Sequence, residues 1–231
     1  MRKSISIFVV AAWGIFTVLT ASAQKTSSFA GTVKMSVKYE GNTNPQIHMP
    51  HNTTYTILGN KFKVISPPGI IQIADGDAGA ISVLYDIPGH FVHKTGYKMS
   101  KEEFEEAFES KKLTYTKKEG DTMTICGYLC TRYDIAIYDT EEDEETMVIV
   151  YTTTEIGENN NINAFEFPGL TGFPLYQETE ANGVKTIAKA IEIKKTKIKS
   201  VDFLTPEGYK IFPSRMEWGM FYQAASEKNG E

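Results

Sequence analysis

The chain has 231 residues, is 41% hydrophobic and carries a net charge of −5, two units more negative once Arg2 and Lys3 are removed with the leader described below. An acidic balance of this kind excludes a general nucleic-acid binder, whose affinity rests on clustered Lys and Arg neutralising phosphates. Only Lys194 to Lys199 is locally basic, and those lysines alternate with Ile193 and Ile198 as on the solvated face of a strand.

Arg2 and Lys3 precede an uncharged apolar run from Ile5 to Leu19 that ends in Ala21-Ser22-Ala23. This is the pattern of a cleavable secretory signal, with cleavage expected after Ala23. The run is shorter than the roughly 20 residues of a membrane span, and no Cys follows it to take a lipid. No later stretch suggests a transmembrane segment in the mature chain. The expected product is an exported, soluble periplasmic domain spanning residues 24–225, with 226–231 as a disordered tail.

Phe29, Val33, Met35, Val37 and Tyr39 alternate with polar residues as in a half-buried strand. Strands are then expected at Thr53–Leu58, Lys61–Ser66, Ile70–Ala74, Ile81–Ile87 and Phe91–Lys94, separated by turns rich in Gly, Pro, Asn and Asp. Ser100 followed by Glu103 forms a capping box, and Phe104, Ala107 and Phe108 share one face, which predicts a helix over 101–111. Strands resume at Leu113–Lys117, Thr122–Cys126, Thr131–Tyr138 and Thr146–Thr153. After an Asn-rich loop at Asn159–Asn163, a hairpin runs from Pro174 through Asn182-Gly183 to Ile198. A second box, Ser214 with Glu217, opens a C-terminal helix with Trp218, Phe221, Tyr222 and Ala225 on one face, either packed on the core or serving as a lid.

The four histidines form two H-x-x-H pairs, His48 with His51 and His90 with His93. Residues at i and i+3 of a strand point to opposite faces, so no metal site and no cofactor is assigned. Cys126 and Cys130 flank Gly127-Tyr128-Leu129. They are either bonded across a tight hairpin loop or free, since a continuous strand would hold their Cα atoms about 13 Å apart. The acidic run Asp139 to Glu145 lacks the Gly and alternation of a calcium loop and reads as a hairpin tip. Asp121-Thr122-Met123 resembles the Asp-Thr O-glycosylation signal of exported Bacteroidetes proteins. No G-x-S-x-G, phosphate-cradling Gly loop or H-E-x-x-H is present, so no catalytic residue is assigned.

Three stretches resemble exported Bacteroidetes families. Ile125-Cys126-Gly127-Tyr128-Leu129-Cys130 is similar to an I-x-G-Y-x-C segment, Phe167 to Leu175 to a relaxed form of the segment that names the GLPGLI family, and Phe203 to Lys210 to the F-x-x-P-x-G-Y-K ending of a related family of unknown function. The resemblance spans less than half of the mature chain, and Glu166-Phe167 stands where GLPGLI proteins have Gly-Leu. It implies a mainly β fold with few helices, an open antiparallel half-barrel like LolA and LolB, here of about ten strands. Such a concave sheet holds acyl chains, with Phe62, Ile71, Leu84, Tyr85, Phe91, Ile137, Val148 and Leu175 as lining residues or as plain core. The expected function is a non-enzymatic periplasmic protein that shelters a hydrophobic small molecule or lipid. The alternative is an envelope protein-interaction module with a filled core and a protein partner.

Overall fold

The structure is a computed structural model that describes residues 29–41, 51–76, 79–106, 108–156, 167–181 and 183–229. The expected leader, His48, the Asn159–Asn163 loop and Asn182 lie outside these residues. Among the described residues twelve strands form one open sheet in the order β12-β6-β5-β4-β3-β2-β1-β11-β10-β9-β8-β7. In chain order they are β1 (Ala30–Gly41), β2 (Asn52–Leu58), β3 (Lys61–Ser66), β4 (Ile70–Asp75), β5 (Ala80–Tyr85), β6 (Thr95–Met99), β7 (Lys111–Ile125), β8 (Tyr128–Asp139), β9 (Glu144–Thr153), β10 (Phe173–Ala181), β11 (Val184–Lys195) and β12 (Lys210–Phe212). All pairs are antiparallel except β6 with β12. The mainly β, open-sheet architecture agrees with the expected half-barrel, with two more strands than anticipated.

The sheet is two meanders joined by one long ladder. β1 pairs with β11 from Gly31–Lys195 to Gly41–Val184. β2 takes only the Ala30–Ser36 half of β1, and β10 takes only the Val184–Lys189 half of β11. A bulge at Ile191 kinks the ladder between these halves. The resulting curl is measurable: Cys126, at the tip of the β7–β8 hairpin, donates its Sγ–H to the Ala190 carbonyl at 3.4 Å. β8 and β11 are three strands apart in the sheet order, a separation of about 14 Å if the sheet were flat.

Three apolar clusters fix this shape. The first runs along one face of β1 to β6, through Val33, Ile57, Phe62, Val64 and Tyr97, and continues into Ile125, Cys130, Tyr151, Phe173 and Leu175. The second, Ile135, Val148 and Val150, is covered by Phe167 and Leu170. The third, Ile71, Ile73 and Leu84, lies on the opposite face of β4 and β5 and is covered by Phe203 of a 3-10 turn at Ser200–Phe203.

Several elements differ from the sequence reading. Phe91–Lys94 is a turn: the amides of His93 and Thr95 donate back to the carbonyls of His90 and Val92, and Lys94 has φ +58°. That geometry leaves no ladder, and the strand begins at Thr95. The two strands expected at 113–117 and 122–126 are one, β7, whose residues 118–121 bulge opposite Arg132 alone. Helix α1 (Lys101–Glu106) ends earlier than expected, although its capping box is reciprocal, with Ser100 N–H to Glu103 Oε2 at 2.8 Å and Glu103 N–H to Ser100 Oγ at 3.2 Å. Helix α2 (Arg215–Asn229) is present and capped by Ser214 Oγ, which accepts from Glu217 N–H at 3.2 Å. It continues through Ser226–Asn229, where the sequence reading placed a disordered tail.

Candidate ligand-binding site

The site is built where α2 lies across β6 and β12. β5 and β6 pair so that Tyr85 stands opposite Thr95 and Val83 opposite Tyr97, all on one face. α2 brings Trp218 onto that face, stacked on Tyr85 with centroids 4.5 Å apart and planes at 10°, and tilted against Tyr97 at 5.6 Å. The indole Nε1–H donates to Thr95 Oγ1 at 3.1 Å, and that hydroxyl donates in turn to the Val92 carbonyl at 2.7 Å. The half-buried Trp therefore has its one polar atom satisfied. Tyr222, one turn on, meets Trp218 at 5.4 Å and Phe91 at 5.1 Å. At the outer edge Lys210 Nζ lies 4.7 Å from both the Phe212 and Phe221 rings, a cation–π arrangement. Burial, with Tyr97 beside it, pushes the Tyr85 phenol up to about 12.

Beyond α2 the same face is not sealed. Gln72 is exposed although it stands between Val64 and Val83, which are buried. Tyr55, Ile70, Tyr85 and Met99 are only half-buried. A polar side chain open to solvent in the middle of an apolar face marks an accessible surface.

The eight residues expected to line a concave face are divided among the clusters. Phe62, Tyr85 and Leu175 belong to the first, and Phe91 reaches it through its contact with Tyr222. Ile71 and Leu84 face the other way, beneath Phe203. Ile137 and Val148 belong to the cluster under Phe167 and Leu170. Trp218, Tyr97 and Thr95 join the site although the sequence reading did not name them as lining residues. The signal for Trp218 was present in the aromatic stripe of α2, whereas Tyr97 fell between two expected elements.

Both cysteines are free, Cys126 exposed and Cys130 buried. The expected hairpin exists, but its two-residue turn is Cys126-Gly127 with φ +50° and +86°, and Cys130 pairs across the ladder with Met123. The thiols therefore do not oppose each other, and burial pushes Cys130 up to about 11.

The three described histidines make separate side-chain contacts. His51 meets Tyr39 edge-on at 6.1 Å. His90 Nδ1 accepts from Val92 N–H at 3.3 Å, and His93 Nδ1 is 3.3 Å from Asp86 Oδ1. Among the described residues no three His, Cys, Asp or Glu side chains converge as metal ligands.

The acidic run is the β8–β9 tip, where Asp139 Oδ1 accepts the amides of Glu141 and Glu142. Asp121 accepts from Arg132 at 3.2 Å and Tyr151 at 3.0 Å, while Thr122 is exposed. Arg132 also donates to Asp134 at 2.7 Å, and Lys118 lies 3.1 Å from that carboxylate. Burial alone would raise Asp134, but these hydrogen bonds leave its carboxyl below the usual range. Each carboxylate of this network is thus neutralised by a neighbour, an arrangement that braces the bulge.

No family model matches the chain, and no curated protein matches it. Among solved structures, PNGF-II aligns with 85% of this chain at 12% identity and a TM-score of 0.50, and this chain spans only 33% of PNGF-II. What the two share is the fold. The Mycobacterium tuberculosis lipoprotein LppX aligns with 74% of the chain, over 89% of its own length, at 10% identity and a TM-score of 0.35. A LolA superfamily protein from Nitrosomonas europaea aligns with 77%, over 91% of its own length, at 11% identity and a TM-score of 0.33.

The segments that carried the sequence resemblance have packing roles here. In the stretch Phe167–Leu175, Phe167 and Leu170 cap the second cluster, Phe173 and Leu175 enter the first, and the Pro168 carbonyl accepts from Tyr115 OH at 2.7 Å. A Cβ on Gly172 would lie 2.9 Å from the Thr153 backbone. In the last stretch Phe203 and Tyr209 pack on the third cluster, Lys94 lies over the Tyr209 ring at 4.6 Å, and Lys210 N–H donates to the Lys94 carbonyl at 2.9 Å.

Proposed function

We propose that the protein is an exported, non-enzymatic periplasmic binding protein that holds the apolar part of a small ligand, an acyl chain or lipid, against the face of β3 to β6 beside α2. The observation that carries this reading is the aromatic group of buried Tyr97 with half-buried Tyr85 and Trp218 at the border of an unsealed apolar face. Phe62, Tyr85 and Phe91 line the ligand, Leu175 lies in the same cluster beneath them, and Ile71, Leu84, Ile137 and Val148 serve as core. Aromatic faces and a few convergent polar groups are the usual composition of such sites. Displacing α2 exposes more of the same surface without breaking the main ladders, because α2 packs chiefly on β6 and β12.

The test is native mass spectrometry of the protein purified from periplasm, followed by organic extraction. A stoichiometric acyl species that quenches or shifts Trp218 fluorescence on re-addition is the expected result. A clean apo mass with no uptake of a long-chain fatty acid would refute the reading and favour the envelope interaction module. The fully buried Ile57, Leu84 and Leu175 suit that module's filled core.

A further inference from the structure

We infer that the segment Lys194–Leu204 docks the protein on an anionic lipid bilayer. It holds four lysines and one carboxylate, Asp202, in a chain whose net charge is −5. Lys194 is committed to Glu192 at 2.8 Å, whereas Lys195, Lys197 and Lys199 are exposed on a stretch that belongs to no strand beyond Lys195. Asp202 is turned back on its own turn, its Oδ2 accepting the Lys199 amide at 2.8 Å.

Directly after these lysines the 3-10 turn and the residue that caps it present two aliphatic side chains to solvent, Val201 at 59% and Leu204 at 63% exposure. They lie three residues apart, linked by Leu204 N–H to the Val201 carbonyl at 3.2 Å. Phe203 between them is buried on Ile71, Ile73 and Leu84, so the turn is anchored while Val201 and Leu204 project. Ile65, 43% exposed, adds to this side, since it pairs with Ile71 on the face that the turn covers.

Lysines beside projecting aliphatic residues supply the two signals that peripheral membrane binding requires, attraction to anionic headgroups and insertion of apolar area. Charge complementarity selects the partner: a local cationic strip on an otherwise acidic protein favours an anionic surface and directs this side toward it. The surface is separate from the ligand site, because the third cluster and the α2 contacts lie on opposite faces of β5. The inference therefore holds whether or not the apolar face carries a ligand.

The experiment is co-sedimentation of the leader-free chain with phosphatidylcholine vesicles, with and without phosphatidylglycerol. Expected are binding to the anionic vesicles alone, loss of binding at high salt, and a roughly fivefold weakening for each of Lys195→Gln, Lys197→Gln and Lys199→Gln. Leu204→Asp should abolish binding and leave the melting temperature unchanged, as its side chain is exposed. Equal binding to uncharged vesicles, no binding to either, or binding unaffected by Leu204→Asp would overturn the inference. So would self-association in sedimentation velocity that Leu204→Asp removes, since the patch would then cover a second copy.

Discussion

Replacing Trp218 by Ala should undock α2 and leave the sheet standing. Burial of a complete Trp side chain is worth about 3–5 kcal/mol against Ala, and Trp218 is half-buried, so about 2 kcal/mol of that applies. Its stacking on Tyr85 at 4.5 Å adds about 0.5–1 kcal/mol. The hydrogen bond to Thr95 adds less, since the Thr95 hydroxyl keeps the Val92 carbonyl as its partner. The sum, about 3 kcal/mol, corresponds to roughly a hundredfold in an opening equilibrium. Hydrogen exchange read by mass spectrometry should therefore show α2 amides losing about a hundredfold in protection while those of β8 and β9 keep theirs. An equal loss in β8 and β9 would mean that α2 is not a separately docked unit. Unchanged protection of α2 would mean that the aromatic contacts do not hold it.

Four further outcomes follow from the same contacts. Ile135→Ala, at a fully buried position of the second cluster, should cost about 2–5 kcal/mol in urea unfolding without changing ligand uptake. Gly31→Ala would place a Cβ 2.2 Å from the Lys194 carbonyl and 2.8 Å from the Phe29 ring. Urea unfolding of that variant should show a loss of about 2 kcal/mol or more as the β1–β11 ladder is forced apart. A thiol reagent should titrate one group, Cys126, in the native protein and two in denaturant, and the intact mass should show no loss of two hydrogens. Tyr85, Tyr115, Tyr176 and Tyr209 are all pushed up to about 12, chiefly by burial. The folded state thus holds these protons more tightly than the unfolded chain, and the stability they confer is complete below pH 10 and is lost as pH rises through about 12. Absorbance at the phenolate band should rise together with unfolding in that window, and full ionisation near pH 10 would contradict the burial.

The meander was legible because turn residues and period-2 alternation recur at short intervals, and the two capping boxes located both helices. Facing was legible only where one side of a strand meets water. β4 and β5 read Ile-Ile-Gln-Ile-Ala and Ile-Ser-Val-Leu-Tyr, apolar at both parities because one face packs under Phe203 while the other carries the apolar surface beside α2, so alternation did not separate Ile71 and Leu84, expected on the concave face with Phe62 and Tyr85, from that face. β12 has three residues and no period to detect. Its place follows from the Lys210–Lys94 hydrogen bond and from Tyr209 packing, which are tertiary. The turn at Phe91–Lys94 imitated a strand because Phe91, Val92 and a following Thr95 are strand formers, while the deciding residue, Lys94 at positive φ, carries no Gly or Asn to announce it. The cysteine spacing was equally silent, since two hairpin registers fit it and the two-residue turn was chosen by Gly127.

The β1–β11 ladder has a consequence for how the chain is made. Every other antiparallel pair joins consecutive strands, some of them in tight hairpins, whereas β1 and β11 meet across almost the whole sequence. Contacts of such separation close late because the intervening chain must be confined first. As the chain is made from its N-terminus, the first meander emerges with one flank of β1 unpaired, and Val33, Met35 and Val37 follow one another along it. Until β11 arrives, that flank is a template for the wrong partner. A holding factor, or swift release of the complete chain, would be needed most during that interval. Substitutions at the ladder, Gly31 and the Ile191 bulge first among them, should lower yield more than they lower the stability of the molecules that do mature.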